Sequence, residues 1–307
     1  MHPGQDNVQL RCEADLYGYS RWLAGHLGYP FAPLSLRGFQ HGWIWWDETD
    51  APYEKGYGLD PNLHDYWGML VQNERVAGSL RARGIYAHAC GLPFVHFYRH
   101  CGLAGSFAGL RTGRTLYVPT HSNPWNDLSG DVAAAAARFT ELQDDCAVML
   151  SWGDRRLAPT MASRFSAVEI GAGALEQDSF YRLLKIFESY DTMITDSMGS
   201  HVCYALVCGM KVGIHAGLYR KVYDGESARR TIDSQRAQDS GHAERYDRIM
   251  SLEYLDRRFP GIVIDGGPPT YSTPPAIANE RPDVVARLLG WEATFDSERV
   301  KAEAAVR

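Results

Sequence analysis

The stretch DTMITDSMGSHVCYALVCGMKVGIH, residues 191–215, decides the fold class of this chain. Residues 192–195 are apolar and partly β-branched, which is typical of a buried strand in an α/β sheet. A polar turn follows at once, and the apolar run after it predicts a helix over residues 201–208 and a second strand over residues 211–214. A strand, a helix and a strand in this order indicate parallel strands joined by a crossover helix.

The same alternation extends over most of the chain from residue 114 onward. It predicts a parallel sheet covered by helices on both faces, so the expected fold class is α/β. The predicted strands are residues 115–118, 147–151, 167–170, 192–195, 211–214 and 262–264. The predicted helices are residues 131–142, 179–190, 201–208 and 282–289.

The first third of the chain predicts a smaller and less regular α/β lobe. Its strand candidates are short, and it is rich in aromatic residues, glycine and histidine. The predicted elements are strands 34–39, 85–89 and 94–97 and a helix over residues 70–83. A glycine-rich stretch, CGLAGSFAGLRTGR at residues 101–114, favours a boundary there, with domains at residues 1–110 and 111–307.

Composition narrows the class of function. The chain has 307 residues, 45% of them hydrophobic, and a net charge of −6, so it can build a core but offers no basic field for a nucleic-acid backbone. Its six cysteines include no CxxC pair, which is typical of reduced thiols in a cytosolic protein. We expect no secretory signal, no membrane span and no nucleic-acid partner. The expected location is the cytoplasm, including peripheral association with the cytoplasmic face of the inner membrane.

The turn at residues 196–200 has side chains that suit an anion. Ligands of open α/β sheets bind beyond the carboxyl ends of the strands, where the next helix begins. Gly199 would let backbone N–H groups approach a phosphate, Ser197 and Ser200 add hydroxyl donors, and the helix dipole favours negative charge. The alternative is simpler: Asp196 or Ser197 caps the helix and binds no ligand.

A second polar strand end, LYVPTHSNPW at residues 116–125, is predicted to lie at the same edge of the sheet. Thr120, His121 and Ser122 would then be donor-binding residues, with His121 in contact with a phosphate or a ribose hydroxyl. The alternative is a turn that caps the next helix and leaves His121 on the surface. Glu169, near the end of another predicted strand, is a candidate hydrogen-bonding partner of a nucleoside.

The first lobe contains GFQHGWIWWDETD, residues 38–50. Glycines on both sides of Gln40 and His41 predict a tight turn that pushes His41 outward, where an imidazole can accept a proton near neutral pH. Trp43 and its neighbouring tryptophans are either core residues or a platform for a sugar. Asp47, Glu48 and Asp50 are either solvated surface residues, or one of them orients His41 or acts as the base itself. The histidines show no HxH or HExxH spacing, so we expect no metal site.

Three motifs, taken in order, resemble the glycosyltransferase-B superfamily: QHG at residues 40–42, PTHS at residues 119–122 and MITDSMGSHVCYALVCGMKVGI in the opening stretch. The similarity is to bacterial CMP-sugar transferases that use sialic acid, Kdo and related nonulosonic acids, and to CDP-glycerol glycerophosphotransferases. The resemblance implies two Rossmann-like lobes, the first of them small and irregular.

The resemblance also implies roles for individual residues. Ser197, Gly199 and Ser200 would hold the donor phosphate, His121 would contact the nucleotide, and His41 would be the general base. Gln40, Trp43 and Asp47 would lie on the acceptor side.

The activity implied by the resemblance is metal-independent transfer of a CMP-activated acidic sugar to a glycan or lipid-linked glycan acceptor. The product would be a surface polysaccharide such as capsule or lipopolysaccharide. The nucleotide-sugar donor is a substrate, and no cofactor is expected. Two alternatives remain: transfer of a polyol phosphate from CDP-glycerol, and a non-catalytic module that binds a nucleotide or a glycan.

Overall fold

The structure is a computed structural model of the chain. It describes residues 69–71, 73–82, 84, 87–89, 92, 94, 97–98, 113–122, 127–171, 173, 176, 178–219, 248, 250–259 and 261–264. The predicted strand 34–39 and the predicted helix 282–289 lie outside the described residues. The chain divides into two compact units, with residues 1–104, 174–180 and 283–307 in the first and residues 105–173 and 181–282 in the second. The predicted domain boundary at residue 110 also lies outside the described residues and stays a prediction.

The first unit contains a short βαβ motif. Strand β1 (Met69–Val71) pairs in parallel with β2 (Ala87–Ala89), and helix α1 (Glu74–Arg81) lies between them in the chain. The sequence predicts a single helix over residues 70–83. The structure corrects this prediction, because residues 69–71 form a strand and the helix starts only at Glu74.

Phe94, Phe97 and Tyr98 correct a second prediction. The sequence predicts a strand over residues 94–97, yet all three residues have helical backbone. Residues three and four apart share one face of a helix, and Phe94 and Phe97 both meet the ring of Phe180, with ring centroids 5.6 Å apart in each pair. The strand propensity of aromatic residues is weaker than this shared packing.

The second unit is an α/β domain built on a six-stranded parallel sheet. In chain order its elements are β3 (Thr115–Val118), α2 (Ser129–Leu142), β4 (Cys146–Leu150), a 3₁₀ helix (Trp152–Leu157), α3 (Ala158–Met161), β5 (Ala167–Ile170), α4 (Ser179–Glu188, in this unit from Tyr181), β6 (Thr192–Thr195), α5 (Ser200–Val207), β7 (Lys211–His215), α6 (Leu252–Arg258) and β8 (Val263–Ile264). The predicted strands 115–118, 167–170 and 192–195 are confirmed residue for residue. The other three predicted strands agree to within one residue at each end.

The order of the strands is β5-β4-β3-β6-β7-β8, and every neighbouring pair is parallel. The chain begins in the middle at β3, runs outward to β5, returns to β6 beside β3 and runs outward again to β8. Because right-handed crossovers that run in opposite directions place their helices on opposite faces, both faces of the sheet are covered. This is the doubly wound order, and the direction of winding reverses between β3 and β6.

The core on one face of the sheet is centred on Tyr117 of β3. Its ring is fully buried and stacks on Phe139 of α2, with centroids 4.1 Å apart and planes within 6° of parallel. Phe165 stacks on the same ring at 6.4 Å, and Val148 and Ile194 from the neighbouring strands complete the cluster. Burial of each such side chain stabilises the fold by about 1.5–3 kcal/mol.

Helix α5 ends in a way that returns the chain to the sheet. Gly209 has a φ of 75°, its N–H donates to the carbonyl of Leu206 at 2.9 Å, and the N–H of Met210 donates to the carbonyl of Ala205 at 3.0 Å. These two bonds form a Schellman motif, which favours glycine at the left-handed position. Strand β7 therefore begins at once, at Lys211, and pairs with β6.

Three short helical segments are not predicted from the sequence: the 3₁₀ helix, α3 directly after it, and α6. Ser151 caps the 3₁₀ helix by accepting from the N–H of Asp154, and Ser251 caps α6 by accepting from the N–H of Tyr254. Such short helices show little apolar periodicity, so the cap is their main signal. Among the helices that the structure describes, none is long and apolar enough to cross a bilayer.

The stacked pair of Tyr117 and Phe139 gives a test of this core. Phe139→Ala removes a fully buried ring from α2, and we expect it to lower the free energy of unfolding by about 3–5 kcal/mol. The matched control is Glu141→Ala, an exposed change on the same helix that should cost less than about 0.5 kcal/mol. Urea denaturation followed by circular dichroism measures both values, and equal midpoints for the two variants would contradict the described packing.

Candidate functional site

The point where the winding of the sheet reverses brings two polar loops together. Strand β3 pairs with β6 along its whole length, and Val118 lies opposite Thr195. The segments that follow, residues 119–122 (the β3 loop) and residues 196–199 (the β6 loop), therefore leave the sheet side by side at its carboxyl edge. These loops and the first residue of α5 contain every predicted donor-binding residue except Glu169.

Asp196 joins the two loops. Its side chain is fully buried, and its Oδ1 accepts hydrogen bonds from the backbone N–H of Thr120 at 2.5 Å and from the Thr120 hydroxyl at 2.8 Å. Its Oδ2 accepts from the hydroxyl of Tyr117 at 3.1 Å. A buried carboxylate costs several kcal/mol unless donors meet its charge, and these three donors do so. The sequence predicts Asp196 and Thr120 as donor-binding residues, whereas the structure uses these polar groups to hold the loops together.

A second buried carboxylate, Asp154, holds the other end of the β3 loop. It accepts from the N–H of Ser122 at 2.8 Å, from the Ser122 hydroxyl at 2.5 Å and from the Ser151 hydroxyl at 2.7 Å. The Ser122 oxygen also accepts from the N–H of Leu128 at 2.8 Å. The hydroxyl that the sequence predicts for donor binding is thus engaged within the protein. Sequence reasoning missed Asp154, whose only local signal is the cap residue Ser151 three positions earlier.

His121 lies between these two anchored residues, and its side chain is exposed. Its Nδ1 is 2.9 Å from the carbonyl oxygen of Ser122. Because a carbonyl oxygen only accepts, Nδ1 bears the proton, and Nε2 of the neutral ring is an acceptor. The β3 loop therefore presents an exposed imidazole with a defined tautomer at the reversal point.

The β6 loop leads directly into α5. Gly199 is the N-cap in an extended conformation, and its carbonyl oxygen accepts from the N–H of Val202 at 3.1 Å. The N–H groups before Val202 have no acceptor within the helix itself. The hydroxyl oxygen of Thr195 accepts from the N–H of Ser197 at 3.2 Å, which tightens the turn. Ser197 is buried and Ser200 is half-buried. The helix start thus places N–H donors and the positive end of a dipole beside the β3 loop.

His201 fills the space beside Gly199. A Cβ on Gly199 would lie 3.0 Å from Nδ1 and 3.1 Å from Cε1 of His201, and the other ring nitrogen lies 3.1 Å from the hydroxyl of Thr195. The sequence predicts that Gly199 makes room for an anion, but the imidazole occupies that room. Burial, and after it the charge of His121, lowers the pKa of His201 from 6.5 to about 3, against the opposing effect of a backbone hydrogen bond with Ser197. His201 is therefore neutral at physiological pH.

Glu169 does not lie with the other predicted donor residues. It belongs to β5, an edge strand two positions from β3, and its carboxylate accepts from the hydroxyl of Tyr190 at 2.8 Å. Burial, and after it this hydrogen bond, raises the pKa of Tyr190, so the phenol stays protonated and keeps donating. The predicted base and acceptor residues His41, Gln40, Trp43 and Asp47 lie outside the described residues.

Three further titratable side chains in the described part of the chain, those of Cys146, Cys203 and His215, are buried and neutral. Burial raises the pKa of the Cys146 thiol to about 12 and that of Cys203 well above its usual value, so neither is a thiolate. Burial lowers the pKa of His215, the last residue of β7, and neither of its ring nitrogens has a hydrogen-bond partner among the described residues. Within the described ranges, no three His, Cys, Asp or Glu side chains lie close enough to share a metal ion.

No protein-family model matches this chain, and no protein of curated function matches it in sequence.

The contact between Gly199 and His201 predicts an energetic coupling. Gly199→Ala pushes a Cβ against the imidazole and should cost about 1–3 kcal/mol of stability, the usual range for overpacking. In the double variant with His201→Ala the ring is gone, so the same glycine substitution should cost much less. A double-mutant cycle from chemical denaturation measures the coupling, and strictly additive effects would show that the two residues do not meet.

The lowered pKa of His201 predicts a loss of stability in acid. Between pH 6.5 and about pH 3 the unfolded chain binds a proton that the folded ring resists, so stability falls as the pH drops through this window. The His201→Gln variant lacks this group, and its acid loss should be shallower than that of the wild type by up to about 1.4 kcal/mol per pH unit. Denaturation midpoints at pH 7, 6 and 5 measure the two slopes. Parallel slopes would contradict a neutral His201 in the folded protein.

Proposed function

We propose that this chain is a glycosyltransferase that takes its sugar from a nucleotide-sugar donor, with CMP as the expected nucleotide. The observation that supports this most strongly is the strand order. It places the β3 loop beside the start of α5, at the position where doubly wound sheets bind nucleotides. The α/β architecture of the second unit is compatible with the donor-binding lobe of a glycosyltransferase-B enzyme.

In this proposal the donor phosphate lies between the start of α5 and the β3 loop. The N–H groups of the first helical turn and the dipole of α5 favour an anion there. His121 adds an exposed imidazole between two residues that buried carboxylates hold in place. Because the loop is fixed before the ligand arrives, little ordering is needed on binding. Ser200 at the first position of α5 is the hydroxyl candidate for the same phosphate.

The proposed reaction requires negative charge on the leaving phosphate to be stabilised at this site. The bond between the anomeric carbon and the phosphate oxygen breaks, and its electron pair stays on the nucleotide phosphate. The acceptor hydroxyl forms the new bond to the anomeric carbon and gives its proton to a base, for which His41 remains the predicted residue. Donors at the helix start stabilise the negative charge that develops on the leaving phosphate. The reversal point has such donors in the N–H groups at the start of α5.

The other ring nitrogen of the exposed His121 has two possible contacts, a ribose hydroxyl and the phosphate. A ribose contact would be lost for CMP and cytidine alike in His121→Ala, whereas a phosphate contact would be lost for CMP alone. Comparing the affinities of CMP and cytidine for the wild type and for His121→Ala shows which of the two contacts His121 makes.

The test is isothermal titration calorimetry with CMP, CDP, UDP, GDP and ADP. We expect the wild type to bind cytidine nucleotides, and His121→Ala to weaken that binding by about 5- to 100-fold, corresponding to about 1–3 kcal/mol for a charged hydrogen bond. Arg164→Gln is the matched control, because it removes an exposed charge next to the first residues of β4, at the amino edge of the sheet. Its affinity should equal that of the wild type.

Absence of binding to all five nucleotides would overturn the proposal. If His121→Ala and Arg164→Gln change the affinity equally, the nucleotide does not bind at the reversal point. The product then defines the reaction: incubation with a CMP-sugar and an acceptor glycan should yield a glycosidic bond. A phosphodiester product from CDP-glycerol would keep the nucleotide site and replace the sugar by a polyol phosphate.

A further inference from the structure

An exposed tryptophan stands next to the proposed donor site. Trp152 follows β4, the strand beside β3, and 38% of its surface is exposed. Among the described residues, Tyr181 is the other large hydrophobic side chain with such exposure. A single exposed apolar side chain is common on protein surfaces, so its exposure alone indicates no site. Its fixed position and its charged neighbours distinguish it.

The position of Trp152 is fixed relative to the β3 loop. The next two residues along the chain both meet Ser122: a Cβ on Gly153 would lie 3.4 Å from the Ser122 carbonyl oxygen, and the Asp154 carboxylate accepts two hydrogen bonds from Ser122. The segment that bears the indole is thus tied to the residue after His121. Trp152 therefore belongs to a segment that contacts the β3 loop from the β4 side.

Two guanidinium groups lie over the indole ring. The guanidinium carbon of Arg155 is 4.4 Å from the ring centroid and that of Arg182 is 5.6 Å from it. Arg155 also donates to the carbonyl oxygen of Trp152 at 2.8 Å, which orders its side chain. In the part of the chain that the structure describes, Arg155 forms no salt bridge, whereas the adjacent Arg156 pairs with Asp127. The result is a flat aromatic surface with positive charge.

We infer that this surface, formed by Trp152, Arg155 and Arg182, binds the nucleobase of the donor; the inference rests on the proposed function. Ligands of doubly wound sheets bind in the crevice at the reversal point, and β4, the strand that Trp152 follows, is the neighbour of β3 there. Neighbouring strands are about 4.8 Å apart, a distance that a nucleoside spans. The base stacks on the part of the indole that stays exposed, and the guanidinium groups beside it attract the anionic nucleotide.

The chemistry of this surface favours a nucleotide over a neutral glycan. A neutral sugar would use the indole face but has no charge for the guanidinium groups to meet, whereas a nucleotide offers both a planar ring and a phosphate. Glu169, the nucleoside partner predicted from the sequence, lies on β5, one strand further from the reversal point. Its carboxylate already accepts a hydrogen bond from the hydroxyl of Tyr190. The exposed indole after β4 is thus the better placed partner.

The test compares ligands with and without a base. Calorimetry measures the affinities of CMP, UMP, AMP and GMP and of ribose 5-phosphate for the wild type, Trp152→Leu and Trp152→Phe. We expect Trp152→Leu to weaken the nucleotides that bind by about 5- to 100-fold, the range for loss of one base–aromatic stack, and to leave ribose 5-phosphate unchanged. Trp152→Phe keeps an aromatic face and should lose less. Tyr181→Leu, an equally drastic change of an exposed aromatic on α4, is the control and should lose nothing.

Each other outcome overturns the inference in a recognisable way. If Trp152→Leu binds nucleotides as tightly as the wild type does, the base lies elsewhere, and the proposed function still stands. An equal loss for CMP and for ribose 5-phosphate shows that the substitution disturbs the phosphate site and that the indole does not stack on a base. If the wild type binds neither nucleotides nor ribose 5-phosphate, both the proposed function and the inference are wrong. Unchanged thermal midpoints of the three variants confirm that each is folded.

Discussion

The site in the second unit depends on one buried interaction: the carboxylate of Asp196 accepts hydrogen bonds from the end of the neighbouring strand. Strands β3 and β6 begin the two halves of the sheet, and Asp196 after β6 receives both the N–H and the hydroxyl of Thr120 after β3. Burial makes this carboxylate costly unless all three of its described donors stay in place, so the two loops are coupled. Asp154, in the 3₁₀ helix after β4, accepts the N–H and the hydroxyl of Ser122 in the same way. His121 is then left exposed between two anchored neighbours.

Tyr117 connects this interaction to the hydrophobic core. Its ring stacks on Phe139 within the core, and its hydroxyl donates to Asp196 at the carboxyl edge of the sheet. The same side chain thus contributes to the stability of the fold and to the geometry of the loops. Because packed interiors leave little free volume, the position of the Asp196 carboxylate is set by how α2 lies on the sheet. The precision of the site is a consequence of the core beneath it.

The sequence predicts the sheet of this unit well, because buried parallel strands give continuous apolar runs that end at polar turns. It also predicts that the polar residues after β3 and β6 leave the same edge of the sheet, as the pairing of these strands shows. It does not predict what the side chains there do, since the partners of Asp196 lie 76 and 79 residues away in the chain. Gly199 illustrates the difference: the sequence singles out the glycine, but the group that needs the space is the ring of His201. Short capped segments such as the one that bears Trp152 lack periodicity and escape prediction.

The central claim is that a nucleotide binds at the reversal point beside His121. The most direct measurement is a nuclear magnetic resonance titration of the imidazole signals with CMP, in protein whose eleven histidines are labelled with ¹³C. The spectrum of His121→Gln assigns the signal. The account predicts that the His121 signal shifts with the dissociation constant found by calorimetry, while the buried His215 signal stays in place. CMP binding that leaves the His121 signal unmoved would contradict the account.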